Sequence, residues 1–126
     1  MTVTIIVPVY GVEKYIRECA VSLFSQTYDK IEYVFCDDCT PDRSIEILHE
    51  VMAEYPERQV RIIKNEQNKG IGSTRARLMQ EVKSDCFLFV DSDDILPENA
   101  VETLVKRMKE TGTDIVEGGY AEYCNG

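Results

Sequence analysis

The sequence contains no tryptophan, only one histidine and no long apolar run. Because His49 stands alone and falls in the middle of a predicted helix, Ser-His-Asp, Cys-His and histidine–zinc sites are all disfavoured. The apolar run at residues 5–10 is too short for a signal-peptide core or a membrane span, and no basic residues precede it. We therefore expect a cytoplasmic protein without a transmembrane segment. Peripheral association with the cytoplasmic face of a membrane stays open.

Basic residues are also scarce, with 14 Lys plus Arg against 23 Asp plus Glu and a formal net charge of −9. Nucleic acids and anionic lipid surfaces attract basic proteins, so this balance argues against both as non-specific partners. An anionic ligand would need a divalent cation between itself and such a protein.

The cysteine pattern favours reduced thiols. Five cysteines occur, an odd number without a secretion signal, which argues against a disulfide framework. Cys36 and Cys39 form a C-x-x-C pair, which leaves a thiol-redox protein as one alternative. Two aspartates lie between these cysteines, however, and nearby anions raise the pKa of a thiol, which disfavours redox catalysis.

The apolar residues follow two alternating patterns. Short β-branched or aromatic runs are typical of strands buried on both faces of a parallel sheet, and they occur at 3–9, 33–36, 60–63, 86–90 and 115–116. Amphipathic stripes predict helices between these runs, at 12–24, 45–55, 71–82 and 101–108.

Three residues mark the predicted helix ends. Asp42 is a candidate N-cap for the second helix, Pro97 is predicted in the first turn of the fourth, and Gly112 follows its end. The βαβαβαβαβ order predicts an α/β fold, with an open, mostly parallel sheet flanked by helices, in a single domain over 1–126. No closing helix follows the last strand, so we expect the domain to be truncated on its C-terminal side.

Acidic residues follow two of the predicted strands. Asp37 and Asp38 come after the second strand, and Asp91, Asp93 and Asp94 come after the fourth. Ligands of open α/β sheets bind outside the carboxyl ends of the strands, so these side chains are predicted to converge on a binding site.

Of the two acidic groups, the one at 91–94 favours a metal site. Clustered carboxylates raise one another's pKa unless a cation relieves them, and hard oxygen ligands suit Mg²⁺ or Mn²⁺ shared with substrate phosphates. A capping role is a poor explanation because Leu96, not an aspartate, directly precedes Pro97. Asp38 is predicted to bind a base or ribose. Asp37 stays open between such a role and an Asx-turn.

A glycine-containing loop at 68–73 enters the third helix and resembles a phosphate-binding loop only weakly. Arg75 and Arg77 follow it on that helix. They could meet a phosphate or a base, or lie solvated on an exposed helix face.

Taken together, the segments 5–28, 31–42, 68–78 and 87–105 resemble the N-terminal part of glycosyltransferase family 2. The resemblance implies the Rossmann-like GT-A fold and the binding of a nucleotide-diphosphate sugar. The implied donor-binding residues are Pro8, Val9, Tyr10, Glu13, Asp38, Gly70, Arg75, Asp91 and Asp93. The implied ligands of Mn²⁺ or Mg²⁺ are Asp93, Asp94 and Asp91, which include a D-x-D motif.

The resemblance also implies an activity. The chain would be the donor- and metal-binding half of an inverting enzyme that transfers a sugar, with a UDP-sugar as donor, to an acceptor hydroxyl in glycan or polysaccharide synthesis. Its general base, an Asp or Glu, is expected outside these 126 residues, so the isolated chain is expected to bind donor but to transfer sugar poorly.

The second-strand loop departs from the family pattern, because Cys39 stands where glycine is usual and Pro41 stiffens the turn. Cys39 is expected to lack glycine's easy access to positive φ. Two further alternatives stay open, a nucleotide-binding module without transferase activity and a nucleotidyltransferase. The latter usually has a glycine-rich loop after the first strand, and residues 9–12 offer none. The sequence leaves the oligomeric state open.

Overall fold

Four strands and four α-helices alternate along residues 1–112, the part of the chain that the computed structural model describes. This confirms the predicted α/β fold. The predicted strand at 115–116 lies outside the described residues. The elements are β1 Val3–Val9, α1 Ile16–Phe24, β2 Ile31–Asp37, α2 Ser44–Glu54, β3 Gln59–Lys64, α3 Ile71–Gln80, β4 Cys86–Phe89 and α4 Ala100–Thr111. Within this range, every helix is too short or too polar to cross a lipid bilayer.

The sheet is parallel throughout, with strand order β3-β2-β1-β4. All seven residues of β1 are buried, which explains its nearly continuous apolar sequence. Val3 pairs with Ile31 of β2 on one side and with Cys86 of β4 on the other. The chain adds β2 and β3 on one side of β1 and then returns to place β4 on the other side. The order therefore reverses between β1 and β4, the position at which open α/β sheets form a ligand crevice.

Helices cover both faces of this sheet. Alternate residues of β1, such as Ile5 and Val7, join the larger core, to which α1, α2 and α4 contribute. Ile6 points the other way and packs with Leu78 of α3. Because parallel crossovers are right-handed, a connection that returns in the opposite direction must pass over the opposite face, which explains why α3 lies apart from the other helices.

Two helix starts differ from the sequence prediction. Tyr15 belongs to the predicted apolar stripe but is 54% exposed, since α1 begins only at Ile16. Pro97 lies in a turn before α4 and not in its first turn. The Gln26 side chain explains this, because its amide donates to the carbonyl of Pro97 at 2.8 Å and accepts from the N–H of Val101 at 3.0 Å.

The predicted end of the fourth helix is confirmed. Gly112 follows α4 with φ 67°, in the left-handed region that favours glycine, and its N–H donates to the carbonyl of Met108 at 2.9 Å.

Candidate functional site

A cleft of about 540 Å³ opens at the carboxyl edge of the sheet. It lies where the strand order reverses, so the ends of β1 and β4 and the start of α3 all contribute to it. The lining residues are Pro8, Val9, Tyr10, Val12, Asp38, Asn68, Gly70, Ile71, Thr74, Asp91, Ser92 and Asp93.

This cleft brings together most of the residues named from the sequence. Among them, Pro8, Val9, Tyr10, Asp38, Gly70, Asp91 and Asp93 line it. The other three, Glu13, Arg75 and Asp94, are not among its lining residues. The ligand-binding roles of all ten stay predictions.

Of those three, Glu13 turns toward the start of α2, where its carboxylate accepts the N–H of Arg43 at 3.3 Å. The Arg75 guanidinium stacks over the ring of Phe89, 4.1 Å from its centroid, where an arginine is stabilised by the ring's negative face. Asp94 lies in a turn closed by its N–H and the carbonyl of Asp91 at 3.0 Å.

The acidic cluster at 91–94 has the geometry of a cation site. Each of Asp91, Asp93 and Asp94 offers a carboxylate oxygen, and these oxygens lie within 4.8 Å of one another. Three hard, anionic oxygen ligands that leave coordination positions open fit Mg²⁺ or Mn²⁺.

Electrostatics favour a cation at the same place. Burial raises the pKa of Asp91 and of Asp94 above the usual 3.8, and the negative charge of Asp93 raises both further. The positive charge of Arg75 lowers the pKa of Asp91 and so partly offsets these effects. A divalent cation would remove the mutual repulsion of the three carboxylates.

Asp38 lies in a different environment, within a buried network of donors. Its Oδ1 accepts from the Asn65 side-chain amide and the Lys69 N–H, both at 2.8 Å, and its Oδ2 accepts from the Gly70 N–H at 3.0 Å. Burial raises the pKa of Asp38, but these hydrogen bonds outweigh it, so the pKa is lowered overall. Asp38 is thus a fixed carboxylate, held ionised, that ties the loop before α3 to the end of β2.

The sequence left the role of Asp37 open, and in the structure its side chain forms a turn. Its Oδ1 accepts the N–H of Thr40 at 2.9 Å, which stabilises the first residues after β2. Its side chain is buried and it is not among the cleft-lining residues. Neighbouring aspartates therefore act differently because successive residues at a strand end point in different directions.

Cys39 adopts positive φ despite the expectation drawn from its side chain. Its φ is 58°, and its thiol donates to the carbonyl of Asn65 at 3.0 Å. A non-glycine residue in this region costs about 1–2 kcal/mol. The other cysteine of the pair, Cys36, is fully buried, and burial raises the pKa of its thiol to about 11. A thiol so seldom ionised is a poor redox nucleophile, which disfavours the thiol-redox alternative.

The loops after β1 and β2 are bound to each other by side chains. The Thr40 hydroxyl accepts the N–H of Gly11 at 2.8 Å, and the Asp42 carboxylate accepts the N–H of Glu13 at 3.1 Å. Asp42 also accepts the N–H of Ser44, the first residue of α2, at 3.1 Å. The capping prediction is thus one residue off, since Arg43 directly precedes the helix, although Asp42 still binds its first N–H.

Acid should weaken this connection by protonating Asp42. Burial raises the pKa of Asp42, but hydrogen bonds from Ser44 and Thr40, and from the Glu13 N–H, outweigh it and lower the pKa from 3.8 to about 2. A carboxyl with a lowered pKa stabilises the fold above its unfolded pKa and loses that contribution as the pH falls through the folded value. Urea unfolding should therefore show Asp42→Asn to be less stable than the wild type at pH 7, with a smaller deficit at pH 3. Equal deficits at both pH values would contradict this assignment.

Several residues of the site were not singled out from the sequence. Asn68, Ile71 and Thr74 line the cleft. The predicted amphipathic helix at 71–82 places Ile71 on its apolar face, yet Ile71 is 63% exposed. Their position in the sequence could have indicated this role, because Ile71 and Thr74 lie one turn apart at the start of the helix that follows the glycine loop.

Sequence comparison finds relatives among transferases. The family model for glycosyl transferase family 2 matches residues 4–126. Glycosyltransferase GlyG of Streptococcus pneumoniae is 34% identical over 96% of this chain and 40% of its own length. The poly(ribitol-phosphate) beta-glucosyltransferase of Bacillus spizizenii is 36% identical over 94% of this chain and 19% of its own length. The chain therefore spans well under two thirds of these relatives.

Solved structures agree with this result. The crystal structure of S. aureus TarS in complex with UDP matches 87% of this chain and 32% of that chain, with a TM-score of 0.79 and 30% identity. TarS has also been solved with UDP-GlcNAc. The fold is that of the GT-A glycosyltransferases, and the chain belongs to glycosyl transferase family 2.

Proposed function

We propose that this chain binds the donor of a glycosyltransferase, a nucleotide-diphosphate sugar, through a divalent cation. The observation that carries the proposal is the convergence of Asp91, Asp93 and Asp94 beside the cleft that Asp38 and Gly70 also line. The acidic end of the cleft suits a divalent cation and the diphosphate bound to it, and the other end suits the nucleoside. The similarity to TarS, whose structure was solved in complex with UDP, supports UDP as the nucleotide.

In this proposal the chain's own residues hold and orient the donor. Asp91, Asp93 and Asp94 would hold Mn²⁺ or Mg²⁺, which when bound supplies Lewis-acid stabilisation of the departing nucleoside diphosphate. Tyr10, 50% exposed at the mouth of the cleft, offers an aromatic surface to the base. Asp38 offers a fixed, ionised acceptor to base or ribose N–H and O–H groups.

The reaction itself belongs to the proposal as well. We infer transfer of the donor sugar, with inversion, to a hydroxyl of a glycan or polysaccharide acceptor. The named activity of the Bacillus spizizenii relative supports a polymer acceptor. The odd number of cysteines favours reduced thiols, which supports the cytoplasmic location that we infer.

Calorimetric titration of the full chain tests donor binding. We expect UDP and UDP-sugars to bind in the presence of Mn²⁺ and to lose measurable binding when the metal is chelated. Without the cation, the carboxylates at the acidic end of the cleft would repel the diphosphate. GDP in Mn²⁺ is the matched comparison for the base, and UMP in Mn²⁺, which keeps the base but lacks the diphosphate, is the matched comparison for the metal-bound phosphates. Binding of UDP with equal affinity with and without metal, or no binding of any nucleoside diphosphate, would contradict the proposal.

A further inference from the structure

A buried polar network lies beneath the nucleoside end of the cleft, centred on Asn65. Asn65 follows β3 and is 1% exposed. Its Nδ2 donates to Asp38 Oδ1 at 2.8 Å and to the Thr74 hydroxyl at 3.0 Å. Its Oδ1 accepts from Arg77 Nη1 at 2.7 Å. The backbone is satisfied too, because the Asn65 N–H donates to the carbonyl of Asp37 at 2.9 Å.

The two charged neighbours fix the direction of this amide. A guanidinium only donates hydrogen bonds and an ionised carboxylate only accepts them. Arg77 must therefore face Oδ1, and Asp38 must face Nδ2. Arg77 is held in its turn by the carbonyl of Lys64, to which the same Nη1 donates at 2.6 Å. A rotated amide would place oxygen against carboxylate and nitrogen against guanidinium, both repulsive, so a single orientation is stable.

The fixed amide in turn fixes the Asp38 carboxylate. The Oδ1 held by Asn65 also accepts the Lys69 N–H, and Oδ2 accepts the Gly70 N–H. Gly70 stands at φ 86° directly before α3, a conformation that glycine adopts at little cost, and the Asp38 carboxylate binds this residue and Lys69 through their N–H groups. Asp38, Gly70 and Thr74, which line the cleft, all belong to this network or are bound by it.

We propose that Asn65 and Arg77 are positioning residues for nucleotide binding, acting through Asp38 and the loop at 68–70. The inference rests on the proposed function and adds two residues that do not themselves line the cleft. The two bonds that the Asn65 amide donates, to Asp38 and Thr74, are buried. Burial strengthens them and makes a misplaced donor or acceptor costly.

The test compares UDP binding in saturating Mn²⁺ among variants of the full chain. Asn65→Asp keeps the shape of the side chain but replaces both amide donors by acceptors, and it should weaken UDP binding ~30-fold. Arg77→Met keeps an unbranched apolar stem but removes the guanidinium donors, and it should weaken binding ~5-fold. Arg77→Lys restores a donor and should bind UDP within about twofold of the wild type, a rescue that mere filling of space would not give.

A matched control separates positioning from general stability. Arg61→Met removes an arginine of β3 itself, whose partners Glu32 and Glu81 are partly exposed, and UDP affinity should not change. Amide hydrogen exchange of the wild type and variants gives a second measurement. The Lys69 and Gly70 amides should exchange faster in Asn65→Asp and Arg77→Met but not in Arg61→Met.

The outcomes distinguish this inference from the proposed function. A wild type that binds no nucleoside diphosphate contradicts the proposed function, and the exchange rates at Lys69 and Gly70 then decide the network alone. A folded Asn65→Asp with wild-type UDP affinity, or Arg77→Lys as weak as Arg77→Met, overturns the inference. Unchanged exchange at both amides in every variant overturns it as well.

Discussion

Replacing Asp93 by asparagine should abolish metal-dependent UDP binding while making the metal-free chain more stable. Asp93 offers one of three carboxylate oxygens that lie within 4.8 Å of one another. Losing one charged ligand from such a set should lower Mn²⁺ affinity by ~100-fold, because ligand charge sets the affinity of oxygen-ligand sites. Calorimetric titration of Mn²⁺ and of UDP with Mn²⁺ measures both losses.

The metal-free chain should gain stability from the same substitution that weakens ligand binding, because the substitution relieves repulsion among the three carboxylates. Burial and the charge of Asp93 raise the pKa values of Asp91 and Asp94. A carboxyl with a raised folded pKa destabilises the fold as the pH rises through that pKa, so at pH 7 the cluster carries this penalty in full. Removing the charge of Asp93 should therefore raise the Tm of the metal-free chain by about 2 °C.

Asp29→Asn is the matched control, since Asp29 lies near the opposite edge of the sheet. It should change neither metal nor nucleotide binding. Mn²⁺ should raise the Tm of the wild type and of this control but not that of Asp93→Asn. An Asp93→Asn chain that binds UDP in Mn²⁺ as tightly as the wild type would exclude the cluster as the metal site.

Removing the carboxylate of Asp38 should cause the largest loss of stability of any change at the cleft. Asp38→Ala leaves the Asn65 amide and the N–H groups of Lys69 and Gly70 without their acceptor. Hydrogen bonds to a charged partner are stronger than those between neutral groups, and a buried donor left without an acceptor destabilises the folded state. We therefore expect a loss of about 3 kcal/mol in the free energy of unfolding. Urea unfolding followed by circular dichroism measures it.

Two variants make this result specific. Asp38→Asn keeps one acceptor but turns the other into a donor against the Gly70 N–H, so it should be intermediate in stability. Asp37→Asn keeps the Oδ1 that accepts the Thr40 N–H and should differ from the wild type by well under 1 kcal/mol. If Asp37→Asn were the more destabilised of the two asparagine variants, the division of roles between these neighbours would be wrong.

The sheet and the acidic cluster were predictable because their signals are local. β1 reads as an apolar run since it is buried on both faces, and its bounds at Val3–Val9 match the predicted 3–9. The three aspartates of the acidic cluster are close in sequence and follow a strand, so a rule about strand ends is enough to bring them together.

Other parts of the site depend on contacts that no local pattern encodes. Arg77 meets Asn65 across a loop and a helix turn, and nothing in its own neighbourhood distinguishes it from a solvated helix arginine. Asp37 and Asp38 are identical as residues and differ only in the direction their side chains take. The positive φ of Cys39 is likewise imposed by its surroundings, among them the Asn65 carbonyl that its thiol binds.

The return of the chain from β3 to β4 has a consequence for the order of folding. Val3 pairs with Ile31 through a short βαβ connection, but it pairs with Cys86 only after one further strand and two further helices have been added. Closing the longer loop is entropically costlier and slower, so the β1–β2 pair should form early and the β1–β4 pair late. The acidic cluster follows β4 and is therefore completed last. If the proposed cation binds there, we expect it to stabilise the finished sheet by slowing its unfolding and to leave the rate of folding unchanged, because its site forms after the rate-limiting assembly.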